Sequence, residues 1–334
     1  MAKIPVLVTG AGSWGTALAL VLARNQHPVY LWDNNSAHIT NLQKARRNDV
    51  HIPGVPFPDE LQPVVDLQEY RGKVKDIVIA VPCSGLLEVL TQLAAWQEKN
   101  FNFCLACKGF AAGDKVLNHE VVEGIMHDRA RIVVLSGPSF AGEVARGLPT
   151  ALTIASADKA TAEHFANCFH NDVFRIYTHD DIIGVQIGGA VKNVMAIAAG
   201  IADGLGFGAN ARAALVTRGL AEITRFGMAL GGRQETFMGL AGLGDLVLTC
   251  TDDQSRNRRL GLALAQGVKL EDAVRRIGQA IEGINTAAEV TRIAAKYSIE
   301  MPIAEQVQQV LSGRVTPKAA VQNLLSRTPR TELD

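Results

Sequence analysis

IPVLVTGAGSWGTALALVLARNQ (Ile4–Gln26) sets an apolar run, three glycines and a helix-forming run in immediate succession. Ile4–Thr9 has the uninterrupted apolar character of a short strand buried on both faces. Gly10-Ala11-Gly12-Ser13-Trp14-Gly15 then supplies G-x-G-x-x-G at the junction of strand and helix. In that place Gly10 permits the tight turn, Gly12 lets backbone approach a pyrophosphate, and Gly15 lets helix pack closely on strand. The helix N-terminus adds free N–H donors and a partial positive charge. Alone the glycine pattern says little; followed by a second strand, Pro28–Trp32, it predicts a dinucleotide site. That strand ends in Asp33, about twenty residues after the glycines, where an acid accepts the ribose hydroxyls of NAD and repels the 2′-phosphate of NADP. Asn34, Asn35 and Ser36 make the stretch rich in helix-cap residues too, so a turn role for Asp33 competes. Arg46 and Arg47 are a helix away.

Strand and helix continue to alternate. Asp76–Pro82, Asn102–Lys108 and Arg131–Ser136 have the same apolar run, and two further strands are expected near Ala151–Ala155 and Phe174–Tyr177. Alternation of this kind predicts a doubly wound sheet with ligands beyond the carboxyl ends of its strands. Two such ends carry chemistry: Lys108-Gly109, and the turn Ser136-Gly137-Pro138-Ser139-Phe140-Ala141. Either could also be an ordinary loop. From Asp180 onward only helical periodicity is visible. The predicted architecture is α/β: an N-terminal Rossmann domain over residues 1–179, then an all-α domain over residues 180–334. The closing RTPRTELD (Arg327–Asp334) reads as a frayed end.

The chain has 334 residues, 48% of them hydrophobic, with 33 basic and 33 acidic side chains. The length allows two cores, and charge balance argues against nucleic-acid or anionic-membrane partners. Five cysteines without a secretory leader indicate a reducing, cytoplasmic setting. Cys104 and Cys107 form C-x-x-C inside an apparent strand, with no second pair, and read as buried thiols. No His, Cys or carboxylate spacing suggests a metal.

Asp180–Gly206 reads as one long helix with a single lysine, Lys192, followed by Asn193. Gly188 and Gly189 lie one turn back on the same face, which lets another backbone or a ligand approach. A snorkelling lysine would be the plainer reading. A membrane span is rejected, because a central lysine costs about 2.5–3.5 kcal/mol there and the Gly/Ala-rich run offers little to offset it. Downstream, Asp245 and Thr249 share a helix face in an otherwise apolar segment. A carboxylate there needs a partner, and Lys192 is the obvious one. Ser255, Arg256 and Asn257 stand at a helix start, behind Asp252 and Asp253 as caps, and suit a phosphate.

Together GAGSWGTALA, ACKG, SGPSFAGE, VQIGGAVKNVMAI, GLAGLGDLVLTCTDDQSRNRR and IGQAIEG resemble the bacterial NAD(P)-dependent glycerol-3-phosphate dehydrogenases, in family order over nearly the whole chain. The resemblance implies reduction of dihydroxyacetone phosphate to sn-glycerol 3-phosphate for phospholipid synthesis, with NAD or NADP as cofactor. It implies cofactor contacts from Ser13, Trp14, Asn34, Lys108, Ala141, Arg256, Ala280 and Glu282. Lys108, Gly137, Ser139, Asp245, Ser255, Arg256 and Asn257 would face substrate, joined by Asn193 and Thr249, with Lys192 as proton donor and acceptor. Many members carry glycine where this chain has Asp33, which points the cofactor choice toward NADH. A homodimer is compatible with the pattern. Two rival readings are a dehydrogenase of hydroxyacids or ketopantoate and a non-catalytic dinucleotide sensor. The Ser255-Arg256-Asn257 cluster opposes the first; Lys108, Lys192 and Asp245 together oppose the second.

Overall fold

The computed structural model describes residues 3–111, 117–328 and 331, and all strands within them belong to one sheet. The strands are β1 (Val6–Thr9), β2 (Val29–Trp32), β3 (Leu61–Val64), β4 (Asp76–Ile79), β5 (Phe101–Leu105), β6 (Ala130–Ser136), β7 (Thr150–Ala155) and β8 (Phe174–His179). Their spatial order is β3-β2-β1-β4-β5-β6-β7-β8. The first six run parallel, in the 3-2-1-4-5-6 order of a dinucleotide-binding sheet. After Gly137, whose φ of +136° few other residues adopt, the chain returns. Thus β7 is antiparallel to β6, and β8 follows β7 in parallel. The sheet is therefore mixed rather than purely parallel.

Side chains alternate along each central strand. Val6 and Val8 enter one core layer with α1 (Ser13–Arg24), while Leu7 enters the layer on the opposite face. The first layer also takes residues of α2 (Ser36–Ala45), and the second takes those of α3 (Leu86–Ala94) and α4 (Asn118–Met126). A short α5 (Ala141–Ala145) follows the Gly137 turn, and α6 (Lys159–Phe169) covers the α1 side. The strand β3 was not anticipated. Its sequence LQPV contains proline, which argues against a central strand but is tolerated at the sheet edge where β3 lies.

Beyond β8 the described residues form helices only. The long helix α7 (Ile182–Gly204) begins at Asp181, whose carboxylate accepts from the Gly184 N–H at 2.8 Å. The rest are α8 (Ala209–Ala229), α9 (Gln234–Phe237), a π-turn over Leu240–Gly244, α10 (Asp245–Thr251), α11 (Arg256–Ala265), α12 (Leu270–Ile277), α13 (Glu282–Tyr297), α14 (Pro302–Leu311) and α15 (Pro317–Leu325). Every residue of α7 from Gly184 to Ala202 is buried. A helix apolar all round belongs inside a core, and here α8, α10, α11, α13 and α14 pack against it. Most of the closing RTPRTELD stretch lies outside the described residues.

Glycines let the neighbours of α7 come within backbone contact. A Cβ on Gly188 would lie 2.5 Å from the Ala241 carbonyl oxygen, and one on Gly189 2.4 Å from Ser136 Oγ. The glycine face beside Lys192 thus admits protein. Where α7 crosses α11, a Cβ on Gly200 would lie 2.1 Å from the Arg258 carbonyl oxygen, and one on Gly261 2.2 Å from that of Ile197. Each of Gly200→Ala and Gly261→Ala should therefore destabilise the protein by about 1–3 kcal/mol or more, the range for overpacking. Urea denaturation of both variants checks this; a midpoint equal to that of the parent would mean that the crossing tolerates a methyl group.

Candidate functional site

A cleft of about 1220 Å³ runs between the carboxyl end of the parallel strands and the helical half. Gly10, Gly12, Ser13 and Trp14 form one wall. Gly10 has φ +101° with the Ala80 and Val81 backbone 2.9 Å from any Cβ, and a Cβ on Gly15 would lie 1.9 Å from the Gly10 carbonyl oxygen. These two glycines are required by the protein's own packing. At Gly12 nothing lies within 4 Å of a Cβ, so this face is open to an approaching ligand. As N-cap of α1, Gly12 brings no side chain to the first N–H groups of that helix. The open glycine face and unsatisfied donors fit a pyrophosphate.

Asp33 faces the same wall and has a structural task as well. Its Oδ2 accepts from the Ala11 N–H at 2.8 Å and its Oδ1 from the Asn35 N–H at 3.0 Å. Asn35, not Asp33, caps α2, through a bond from the His38 N–H. The turn reading of Asp33 is thus realised, and its carboxylate still borders the cleft beside Asn34. Two residues with no sequence signal join this end: His38, whose Nε2 lies 3.3 Å from the Ala11 carbonyl, and His51, whose carbonyl accepts from Ser13 Oγ at 3.4 Å. Burial, with His38 close by, lowers the His51 pKa, and its buried Nδ1 has no partner.

At the cleft floor two lysines share one carboxylate. Lys108, just past β5, donates to Asp245 Oδ2 at 2.9 Å, to the Gly137 carbonyl at 2.7 Å and to Ser139 Oγ at 3.2 Å. Lys192, on α7, donates to Asp245 Oδ1 and to Thr249 Oγ1, the latter at 3.0 Å. Thr249 in turn donates to the Asp245 carbonyl at 2.6 Å, which fixes its hydroxyl one turn along α10. Asp245 is only 1% exposed and Lys192 6%. Burial pulls the Lys192 pKa down to about 8; Asp245 opposes that shift and the Lys108 charge adds to it. Two cations against one anion leave the floor with a net positive charge, a setting for an anionic substrate.

The remaining residues divide by task. Asn193 donates to the Lys108 carbonyl at 3.0 Å, and its Oδ1 accepts from Asn257 Nδ2 at 2.9 Å. Asn257 Oδ1 accepts from the Gly283 N–H at 3.0 Å. Both amides border the cleft but are engaged with protein, holding Lys108, α7, α11 and α13 in register. Ser255 is the N-cap of α11, accepting from the Arg258 N–H, so the cap falls there and not on Asp252 or Asp253. The arginine cluster splits three ways. Arg256 faces the cleft, with its pKa lowered by burial. Arg258 is bonded to Asp203 at 2.7 Å and to Asp253, and Arg259 is exposed at the rim. Glu282 crosses between the halves, accepting from the Cys83 N–H at 3.3 Å; burial raises its pKa while Arg256 opposes the shift. Ala141 and Ala280 line the same cleft. Gly15, Gly137 and Asp245 lie behind its surface and act through their neighbours. Cys107, expected to be buried, is half-buried and lines the cleft.

A family model described as the N-terminus of NAD-dependent glycerol-3-phosphate dehydrogenase matches residues 5–162, and the corresponding C-terminus model matches residues 181–322. The chain is 53% identical over 330 residues to a glycerol-3-phosphate dehydrogenase (NAD(P)+) of Nitrosococcus oceani, covering 99% of this chain and 96% of that protein. It is 47% identical over 335 residues to that of Hydrogenovibrio crunogenus, covering 99% and 97%. A crystal structure of glycerol-3-phosphate dehydrogenase from Coxiella burnetii superposes with a TM-score of 0.94 at 47% identity, covering 97% of this chain and 99% of that one. Matches at this identity and coverage leave one assignment: the chain belongs to the NAD-dependent glycerol-3-phosphate dehydrogenase family.

Proposed function

We propose that the floor formed by Lys108, Lys192 and Asp245 is where dihydroxyacetone phosphate is reduced reversibly to sn-glycerol 3-phosphate, the reaction of this family and a source of glycerophospholipid precursor. The dinucleotide, bound along Gly10–Gly15, supplies the hydride to the carbonyl carbon. Lys108 polarises the carbonyl and is held for that by Gly137, Ser139 and Asp245. Lys192 gives its Nζ proton to the carbonyl oxygen as the alkoxide forms, and takes it back in the reverse direction. Arg256 neutralises the phosphate. A single observation carries this reading: a buried lysine with pKa near 8 beside a second lysine on a shared carboxylate, at the foot of a dinucleotide-sized cleft.

Three outcomes are expected. Lys192→Ala should lower kcat roughly 10²–10⁴-fold, the range for a positioned acid–base group, with NADH affinity unchanged. Lys192→Arg should stay nearly as slow, because guanidinium holds its proton. The sign of the pH dependence follows from the same lysine. Ketone reduction needs the ammonium form and should decline as pH rises through about 8, whereas alcohol oxidation needs the free amine and should rise there. Steady-state rates in both directions, with a dinucleotide titration, test all three statements; near-normal turnover of Lys192→Ala would transfer the proton donor's role to Lys108.

For the phosphate, Arg256→Ala should cost about 2–5 kcal/mol in kcat/KM, with lysine restoring only part. It should also erase discrimination against unphosphorylated dihydroxyacetone. Retained discrimination would locate the phosphate elsewhere.

Cofactor choice should follow Asp33. Repulsion of a 2′-phosphate favours NADH over NADPH in kcat/KM by roughly tenfold or more, an energy of about 1.4 kcal/mol. Asp33→Asn, which keeps one acceptor for the glycine loop and removes the charge, should narrow the ratio. Equal efficiencies in the parent enzyme would refute the preference.

A further inference from the structure

At the opposite edge of the sheet from the cleft lies a second cluster of chemically able side chains. Asp76 opens β4, in register with Val6 of β1 and Asn102 of β5. His164 and Cys168 stand four residues apart on α6, hence on one face of that helix. One donor atom from each of Asp76, His164 and Cys168 lies within 4.8 Å of the other two. We propose that these three side chains bind one divalent zinc-class cation, which clamps α6 to the amino-terminal edge of the parallel sheet.

Donor chemistry selects the class. A carboxylate oxygen, an imidazole nitrogen and a thiolate sulfur suit Zn²⁺, whereas Mg²⁺ and Ca²⁺ prefer oxygen alone. With bonds of about 2.0–2.3 Å the ligand atoms of a tetrahedral site lie roughly 3.3–3.7 Å apart, so the 2.7 Å His164–Asp76 pair opens on binding while the wider edges of the triangle, all within 4.8 Å, close. The site is also oriented from behind. Asp76 Oδ1 accepts from Asn102 Nδ2 at 2.7 Å, which fixes the carboxylate and leaves Oδ2 for the ion. A ligand carboxylate fixed by a neighbour's N–H is the usual outer support of a metal ligand. Asp76 and Cys168 are buried, but a hollow of about 450 Å³, lined by Ile4, Asn25, His27, His164 and Cys168, gives an ion entry and leaves room for a water as fourth ligand. On binding, the Cys168 thiol proton goes to solvent and the ion takes the place of the hydrogen bond between His164 Nε2 and Asp76 Oδ2. Its position beyond the strand starts makes the ion a structural clamp, outside the hydride-transfer chemistry.

Cobalt(II) serves as a visible probe on the full-length protein after chelator treatment. One equivalent should give the ligand-field bands of a tetrahedral site with a sulfur-to-cobalt charge-transfer band, and Zn²⁺ should displace it. Zn²⁺ should raise the melting temperature of the parent by several degrees and leave kcat unchanged. Cys168→Ser and His164→Gln, each first shown to melt cooperatively without metal, should bind Zn²⁺ at least tenfold more weakly, and Cys168→Ser should also lose the charge-transfer band. Cys107→Ser should keep the charge-transfer band and the parent's affinity for Zn²⁺. Absence of a saturable equivalent would overturn the proposal, as would a charge-transfer band that survives Cys168→Ser.

Discussion

One carboxylate holds the two halves of this protein to their task. Asp245 comes from the helical half, Lys108 from the end of a sheet strand, and Lys192 from α7, which borders both. Ion pairs this buried contribute little net stability, because desolvation offsets most of the attraction. What they do confer is position, since removing one partner strands an unmatched charge at a cost of about 3–5 kcal/mol. Asp245 therefore makes the alignment of two lysines a condition of folding well. The same carboxylate opposes the loss of charge that burial imposes on Lys192, and leaves that group able to change protonation near neutral pH.

The two walls of the cleft are joined through backbone as well as charge. The Asn193–Asn257 pair runs from the Lys108 carbonyl to the N–H of Gly283, next to Glu282, which in turn reaches the Cys83 N–H across the cleft. Each amide in this chain has both a donor and an acceptor engaged. These asparagines border the cleft, yet their main work is to hold its walls.

Features governed by local backbone rules were legible in the sequence. Gly10 and Gly15 sit where a strand-turn-helix unit demands them, and Asp245 pairs with Lys192 because a lone carboxylate in apolar sequence needs a cation, whereas the bond from Lys192 to Thr249 had no such signal. Features that depend on a distant partner were hidden. Gly200 and Gly261 lie in separate helices, and neither shows that it faces the other's backbone. Arg256 and Arg258 are indistinguishable as letters, yet one faces the cleft and the other is committed to Asp203 and Asp253. The sequence showed no metal-ligand spacing, because His164 and Cys168 of the HFANC segment are only two candidate ligands and the third, Asp76, is remote in the chain. Proline concealed β3 because the rule against it holds only for central strands.

The burial of α7 has a consequence for how the chain is made. It is the one described helix long and apolar enough to cross a membrane, and the helices that pack most extensively on it, α8, α10, α11 and α13, follow it in sequence. During synthesis, which adds about 5–20 residues per second, α7 leaves the ribosome before α10, α11, α13 and α14 exist. For some seconds the faces that those later helices cover, with only the β-sheet half available as a neighbour, are open to other nascent chains and to chaperones that bind apolar segments. The helix that organises the finished enzyme is thus the segment most exposed to aggregation while the enzyme is incomplete, and a truncated product ending before α11 would carry that hazard permanently.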